Sequence, residues 1–391
     1  MFAATLLAAS VPAVIAATPA AAARALATGP YEEDECPPDG LDPELTARLD
    51  QAVEDIRRQA GIPGVITGLW LPGRGSYVRA TGVADTATGA PMTTDLLMRI
   101  GSETKTFTVT ALLQLVDERR IRLDDPISAY VDGVPCGDRI TLRQLAEMRS
   151  GLFSYSADPD FAQALLSDPA RSFTPRELLA YGFRHPNTAE PGETFQYCNS
   201  NLVLLGLVIE KVGGLGLADF IRQRVLRPAR LRRTLFPNGA GYPEPHAHGY
   251  TDQTLSGAVE DATDWNPSWA WAAGAMISDL HDLRRWAEIV ATGTLLSPRT
   301  QAERLRVLPT GFPGTAYGLG IFETGGWIGH NGSLPGYESV TVHLPVEKAT
   351  LVLLINTDIS YQGQEPSTLL ARAITGIVTP DHVYDGTVPV S

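Results

Sequence analysis

The sequence predicts an α+β protein: an antiparallel sheet flanked by terminal helices, with an all-helical lobe inserted into it. Strand-type patterns cluster towards the two ends of the 391-residue chain, while long apolar helical runs fill the middle. Strands of one sheet can be joined across a long helical insertion, which makes a sheet lobe and a helical lobe of one domain. The length holds one large domain or two ordinary ones. The expected layout is a signal segment at 1–28, a flexible lead-in at 29–40 and one domain at 41–391. Its sheet lobe is drawn from about 41–100 and 300–391, and its helical lobe mostly from 101–299.

The elements follow in order. Pro43 after Asp42 opens a helix through Leu45, Leu49, Val53 and Ile56 that ends at Gly61. Gly64–Leu71 reads as a strand, Pro72–Gly75 as a turn, and Ser76–Val83 as the antiparallel partner. Val109–Val116 is apolar almost all round, the mark of a helix buried on most sides. Arg122–Pro135 reads as loop, and Thr141 caps a short helix holding Leu142, Leu145 and Met148. Thr174-Pro175-Arg176-Glu177 is a capping box in a segment, Ser150 to about Pro191, of loops and short helices. Asn201–Val212 is a second apolar helix closed by Gly213-Gly214, and Ser278 caps a third that runs to Gly293. The period then changes: Tyr317–Phe322, Trp327–His330, Tyr337–Leu344 and Thr350–Asn356 read as a meander, with a closing helix over Leu369–Val378.

A net charge of −13 and a pI near 5.0 argue against nucleic acid and anionic membrane surfaces as partners. Residues 1–23 are rich in Ala, Leu and Val and end in Ala21-Ala22-Ala23, which resembles a secretory signal, although no Lys or Arg precedes Arg24. The run is short and broken by Pro12 and Pro19, so no membrane anchor is expected; the expected location is secreted, outside the cytoplasm. The chain is expected to act as a monomer. Three cysteines are too few for a disulfide scaffold; Cys36 and Cys136 could pair in an exported protein, or all three could be unrelated thiols.

Three short motifs carry chemistry. Ser102-Glu103-Thr104-Lys105 lies at the start of the buried helix, where residues three apart share a face, so hydroxyl and amine project together. A lysine there loses hydration, which disfavours its charge and makes it a proton acceptor. Ser-x-x-Lys alone also marks ordinary solvated helix starts. Tyr197-Cys198-Asn199 precedes the second apolar helix. A phenol beside a cationic lysine can have its ionised form favoured, so Tyr197 could relay the Ser102 proton, and Asn199 could bind a substrate amide. The plainer reading is Asn199 as a helix cap with Tyr197 packed beneath it. His330-Asn331-Gly332-Ser333 ends a strand. It could bring backbone donors to an oxyanion, with His330 as a switchable charge or donor, or it could be a hairpin turn, which Asn-Gly favours.

In the order S-x-x-K, Y-x-N, H-x-G, these motifs resemble the serine β-lactamase and penicillin-binding-protein superfamily. The chain is most similar there to actinomycete-type D-alanyl-D-alanine carboxypeptidases and to class C β-lactamases and related esterases. Flanking matches such as Arg99-Ile100-Gly101-Ser102, Arg149-Ser150-Gly151-Leu152, His246-Ala247-His248-Gly249-Tyr250 and Tyr317-Gly318-Leu319-Gly320 extend the likeness over roughly Leu41 to Ile377. The resemblance implies a β-lactamase/transpeptidase-like fold, Ser102 as nucleophile, Lys105 and Tyr197 as acid/base pair, and Asn199 as substrate ligand. It also implies an oxyanion hole from the backbone N–H groups of Ser102 and Ser333, a substrate wall including His330, Asn331, Gly332 and Trp269, and neither metal nor cofactor. The expected substrate is a D-amino-acid peptide, an ester or a β-lactam. Alternatives are an esterase or β-lactamase acting on small molecules, or a penicillin-binding protein that is acylated without turnover.

Two departures stand out. The family's third motif usually carries Thr where this chain has Asn331. Its carboxypeptidases carry an Arg just after Y-G-L-G that holds the peptide's free carboxylate; here that place falls at Phe322, and no Lys or Arg occurs from Val307 to Glu347. Because a bidentate Arg is the strong way to hold a carboxylate, preference for an ester, lactam or amide lacking a free carboxylate is expected. His246 and His248 have a metal-like spacing without a carboxylate or Cys cluster, and are read as structural.

Overall fold

The computed structural model describes residues 40–386. The signal segment, nearly all of the lead-in and Cys36 therefore lie outside the described residues. The first helix, α1 (Pro43–Gln59), is capped by the Asp42 carboxylate, which accepts from Glu44 N and Leu45 N. Strands β1 (Gly64–Leu71), β2 (Gly75–Asp85) and β3 (Ala90–Pro91) follow; β4 (Leu308–Pro309), β5 (Thr315–Tyr317), β6 (Phe322–Thr324), β7 (Trp327–Leu334), β8 (Tyr337–Leu344) and β9 (Ala349–Ile355) come from the far end of the chain. Together they form a nine-stranded antiparallel sheet in the order β3-β2-β1-β9-β8-β7-β6-β5-β4. The β1–β9 pairing, Val65 opposite Ile355, closes the sheet across nearly three hundred intervening residues.

Both faces of the central strands are covered. Val65, Leu69, Leu353 and Ile355 point into a core with α1 and the last helix, α5 (Pro366–Val378), whereas Ile66, Trp70, Val352 and Leu354 point into the core of the helical lobe. That alternation is the strand period of two, and burial on both sides explains why β9 reads as an uninterrupted apolar run. The helical lobe is built on α2 (Thr104–Asp117), α3 (Asn199–Gly213) and α4 (Leu280–Thr292). Eleven of the fourteen α2 residues are buried. Phe107 of α2 stacks on Trp286 of α4 with centroids 4.0 Å apart, and the Trp286 indole donates to Thr106 Oγ1 at 2.7 Å. Burying side chains of this size is worth about 1.5–3 kcal/mol each.

Four local expectations are corrected. Tyr317–Phe322 is not one strand: the chain leaves the sheet between β5 and β6, where Gly320 N bonds Ala146 O in the helical lobe. Asn331-Gly332 is no hairpin turn but strand interior; the turn falls at Pro335-Gly336, between the paired Leu334 and Tyr337. Asp279, not Ser278, caps α4, since its carboxylate accepts from Asp282 N at 2.9 Å. Asn199 does not cap α3, because Cys198 holds that position.

Candidate active site

The site forms where the N-terminal end of α2 meets the sheet. Residues Gly101–Glu103 make a 3₁₀ turn running directly into α2, so Ser102 sits just ahead of the helix and Lys105 one turn further on. This turn is pinned from outside: Ile100 N bonds Met276 O at 3.1 Å, and Met276 N bonds Thr104 Oγ1 at 3.1 Å. On the other side β7 comes very close. A Cβ on Gly332 would lie 2.0 Å from Ile100 O, and one on Gly101, whose φ is +49°, would lie 2.8 Å from Ser333 N. Two glycines thus let a strand and a helix start touch backbone to backbone.

Lys105 Nζ lies 2.9 Å from Ser102 Oγ, donates to Ala273 O at 2.8 Å and stands 4.8 Å from the centroid of the Tyr197 ring. Lys105 is fully buried, and loss of hydration holds its amine well below the ordinary lysine range. A neutral amine has one lone pair, which the Ser102 hydroxyl is placed to meet. Burial, reinforced by Tyr317, holds the Tyr197 phenol well above its usual range, while the neighbouring Ser102 hydroxyl tempers the rise. The ionised phenol expected from a lysine neighbour is therefore disfavoured, because burial opposes charge on both groups. The Tyr197 hydroxyl is buried without a well-formed hydrogen bond among the described residues, Ser102 being its polar neighbour.

His330 also differs from expectation. It is buried, its Nε2 is 3.3 Å from Tyr317 Oη, its Nδ1 is 2.5 Å from Asn331 O, and its ring packs 4.7 Å from Phe322. Burial, with Lys105 nearby, pushes its pKa down to about 3, so it is no switchable charge near neutrality. Asn331 points the other way: its Nδ2 donates to Glu365 Oε2 at 3.2 Å, beside α5. Adjacent strand residues face opposite layers, so Asn331 cannot join His330 at the site.

Ser102, Asn199, Trp269 and Ser333 line a cleft open to solvent. Asn199 sits in the first turn of α3, with its Nδ2 3.0 Å from Ser156 Oγ. Its remaining wall includes Tyr155, Phe161 and Leu165, residues whose placement the sequence left open. Asp158 capping Phe161 N ahead of Pro159 was the available signal for the helix Pro159–Ser167 that carries two of them. Tyr155 is tied to the Trp269 carbonyl by its hydroxyl at 2.7 Å. Gln253, also in the wall, and Ala273 O had no motif to reveal them. Phe322 occupies the aromatic cluster with Tyr197, Tyr317 and His330, and among the described residues no ionic side chain lines the cleft. His246 and His248 pack 5.8 Å apart, His248 paired with Asp261 at 2.7 Å, away from the cleft.

Residues 49–374 match the model of the Beta-lactamase family. Among curated relatives, a D-aminopeptidase of Brucella anthropi is 32% identical over 324 residues, 80% of this chain and 59% of the relative. A D-aminopeptidase of Cereibacter sphaeroides is 27% identical over 335 residues, 83% of this chain and 63% of the relative. The chain thus spans about three-fifths of the length of these relatives. A solved D-stereospecific amidohydrolase from a Streptomyces species superposes with a TM-score of 0.76 at 31% identity, covering 86% of this chain and 99% of that one. The D-amino acid amidase of Ochrobactrum anthropi complexed with L-phenylalanine amide gives 0.77 at 28% identity, with the same coverage.

Proposed function

The chain belongs to the Beta-lactamase family, and from that premise we propose that it is an exported serine amidohydrolase cleaving amides of D-amino acids through an acyl-enzyme at Ser102. The observation that carries the reading is the 2.9 Å approach of the Lys105 amine, its charge disfavoured by burial, to the Ser102 hydroxyl at the floor of a cleft. Lys105 takes the Ser102 proton as Oγ attacks the substrate carbonyl. The developing oxyanion rests between the N–H groups of Ser102 and Ser333, which the Gly101–Gly332 approach brings together. Tyr197, held as the neutral phenol, donates its proton to the leaving nitrogen and is reprotonated from Lys105. Water then enters by the reverse sequence and frees the acid.

Amide rather than carboxypeptidase activity is supported by the apolar Phe322 where a carboxylate-holding Arg would stand, and by a cleft wall without cations. The D-aminopeptidases and amidases among its relatives point the same way. Export is supported by the apolar run before Ala21-Ala22-Ala23.

The test is a panel of D-phenylalanine amide, its L enantiomer, a D-Ala-D-Ala peptide with a free carboxylate, the methyl ester of that peptide, and a penicillin. The expected result is turnover of the D-amide with strong preference over the L form, and of the peptide ester over the free acid. Preference for the free acid would return the enzyme to the carboxypeptidases. Penicillin acylation without any turnover would leave a binding protein.

A further inference from the structure

We propose that Gln253 is the residue that selects a free α-ammonium on the substrate, its carbonyl oxygen facing the cleft because Asp358 holds the other end of its amide. The proposal rests on the amidohydrolase reading and names what that site recognises beyond the scissile bond. The cleft wall offers no carboxylate, so an ammonium entering it must be met by neutral acceptors. Gln253 is part of that wall. Its Nε2 donates to Asp358 Oδ2, which also accepts from Thr251 Oγ1 at 3.1 Å, while Asp358 Oδ1 accepts from Gly336 N at 2.8 Å.

A carboxylate only accepts hydrogen bonds, so the amide must turn its NH₂ towards Asp358. The carbonyl oxygen is then the end of the amide that the carboxylate does not engage. The backbone is fixed as well, since Gln253 N donates to Thr251 Oγ1 at 3.1 Å. Asp358 is buried and also anchors the Pro335-Gly336 turn, so a single carboxylate sets both Gln253 and the tip of the β7–β8 hairpin beside it. The negative charge behind the amide polarises it in the sense that suits a cation in front. Asp358 is on this account a positioning residue, and Gln253 touches the substrate.

The experiment compares D-phenylalanine p-nitroanilide with its deaminated counterpart, 3-phenylpropionyl p-nitroanilide, on the full chain. Gln253→Met keeps the volume and removes the acceptor. It is expected to lower the ratio of the two kcat/KM values (amino over deaminated) by roughly 10- to 100-fold, the scale of one hydrogen bond to a charged group, mainly through KM. Asp358→Asn is expected to lower the same ratio. Its carbonyl oxygen must stay with Gly336 N, so its NH₂ faces Gln253 and forces that amide to rotate its own NH₂ into the cleft. If the wild type hydrolyses the D-anilide and the ratio survives in Gln253→Met, this inference fails while the amidohydrolase reading stands. If the wild type hydrolyses no D-amino-acid amide or anilide, that reading fails and takes the inference with it.

Discussion

The two faces of strand β7 are both buried, yet they are polar for opposite reasons. Towards the helical lobe, His330 and Gly332 meet α2 and its preceding turn, where burial disfavours charge on Lys105 and Tyr197, and where the Tyr197 hydroxyl and the Glu103 carboxyl are buried without a well-formed hydrogen bond. Towards α5, the buried carboxylates are paired: Asn331 Nδ2 donates to Glu365, and Ser367 N donates to Glu338 Oε2 at 2.8 Å. One face holds polar groups in reserve for a substrate, whereas the other uses them to bind sheet to helix. Unsatisfied buried groups cost stability, so the first face is where function and stability pull apart.

Substitutions can break this contrast. Ser102→Ala removes only the reacting oxygen and is expected to cut kcat by about 10⁴–10⁶-fold without lowering Tm, as a substrate assay and a thermal melt on the same sample would establish. Lys105→Ala should slow acylation by about 10²–10⁴-fold, read in the burst phase with an activated ester. In the wild type the acid limb of kcat/KM should fall well below the ordinary lysine range, with no inflection from His330 near 6.5. Gly332→Ala must push β7 off Ile100 O, at a cost of about 1–3 kcal/mol in stability and about 10²-fold in kcat.

The opposite face should respond inversely. Asn331→Ala is expected to cost about 1–3 kcal/mol in a denaturant melt by stranding Glu365, with kcat/KM nearly unchanged. A comparable loss of activity would erase the distinction between the faces.

Glu103 gives an effect that shows only as the pH is changed. Burial pushes its carboxyl up to about 8, so the folded state holds a proton that the unfolded chain releases near 4.5. The contribution is complete below 4.5 and is lost as pH rises through 8, a slope of at most about 1.4 kcal/mol per pH unit. Glu365, up to about 7, adds in the same direction. Glu103→Gln, which cannot ionise, should therefore flatten the fall in Tm between pH 5 and 8; an unchanged slope would show that Glu103 is not its source.

Much of this was readable from local pattern. The spacing of Ser102 and Lys105 at the head of an apolar run placed hydroxyl and amine together, because i and i+3 share a helix face whatever surrounds them. The strand and helix periods gave the alternation of layers, and the Thr141 cap and the Thr174 capping box stand where their residue types said. Misreadings arose where a local preference met a tertiary constraint. Asn331-Gly332 has turn chemistry, yet the chain runs straight through it because Gly332 must pass against Ile100 O.

What the sequence determined by itself was the order of elements, the placing of the Ser102 hydroxyl beside the Lys105 amine and the absence of Lys and Arg from 307 to 347. Tertiary structure alone decided how they titrate: packing from distant segments removes their water and disfavours the charged forms of Lys105, Tyr197 and His330. It also decided which way Asn331 and Gln253 face. Desolvation and orientation depend on neighbours brought from far along the chain, and no short stretch of residues encodes them.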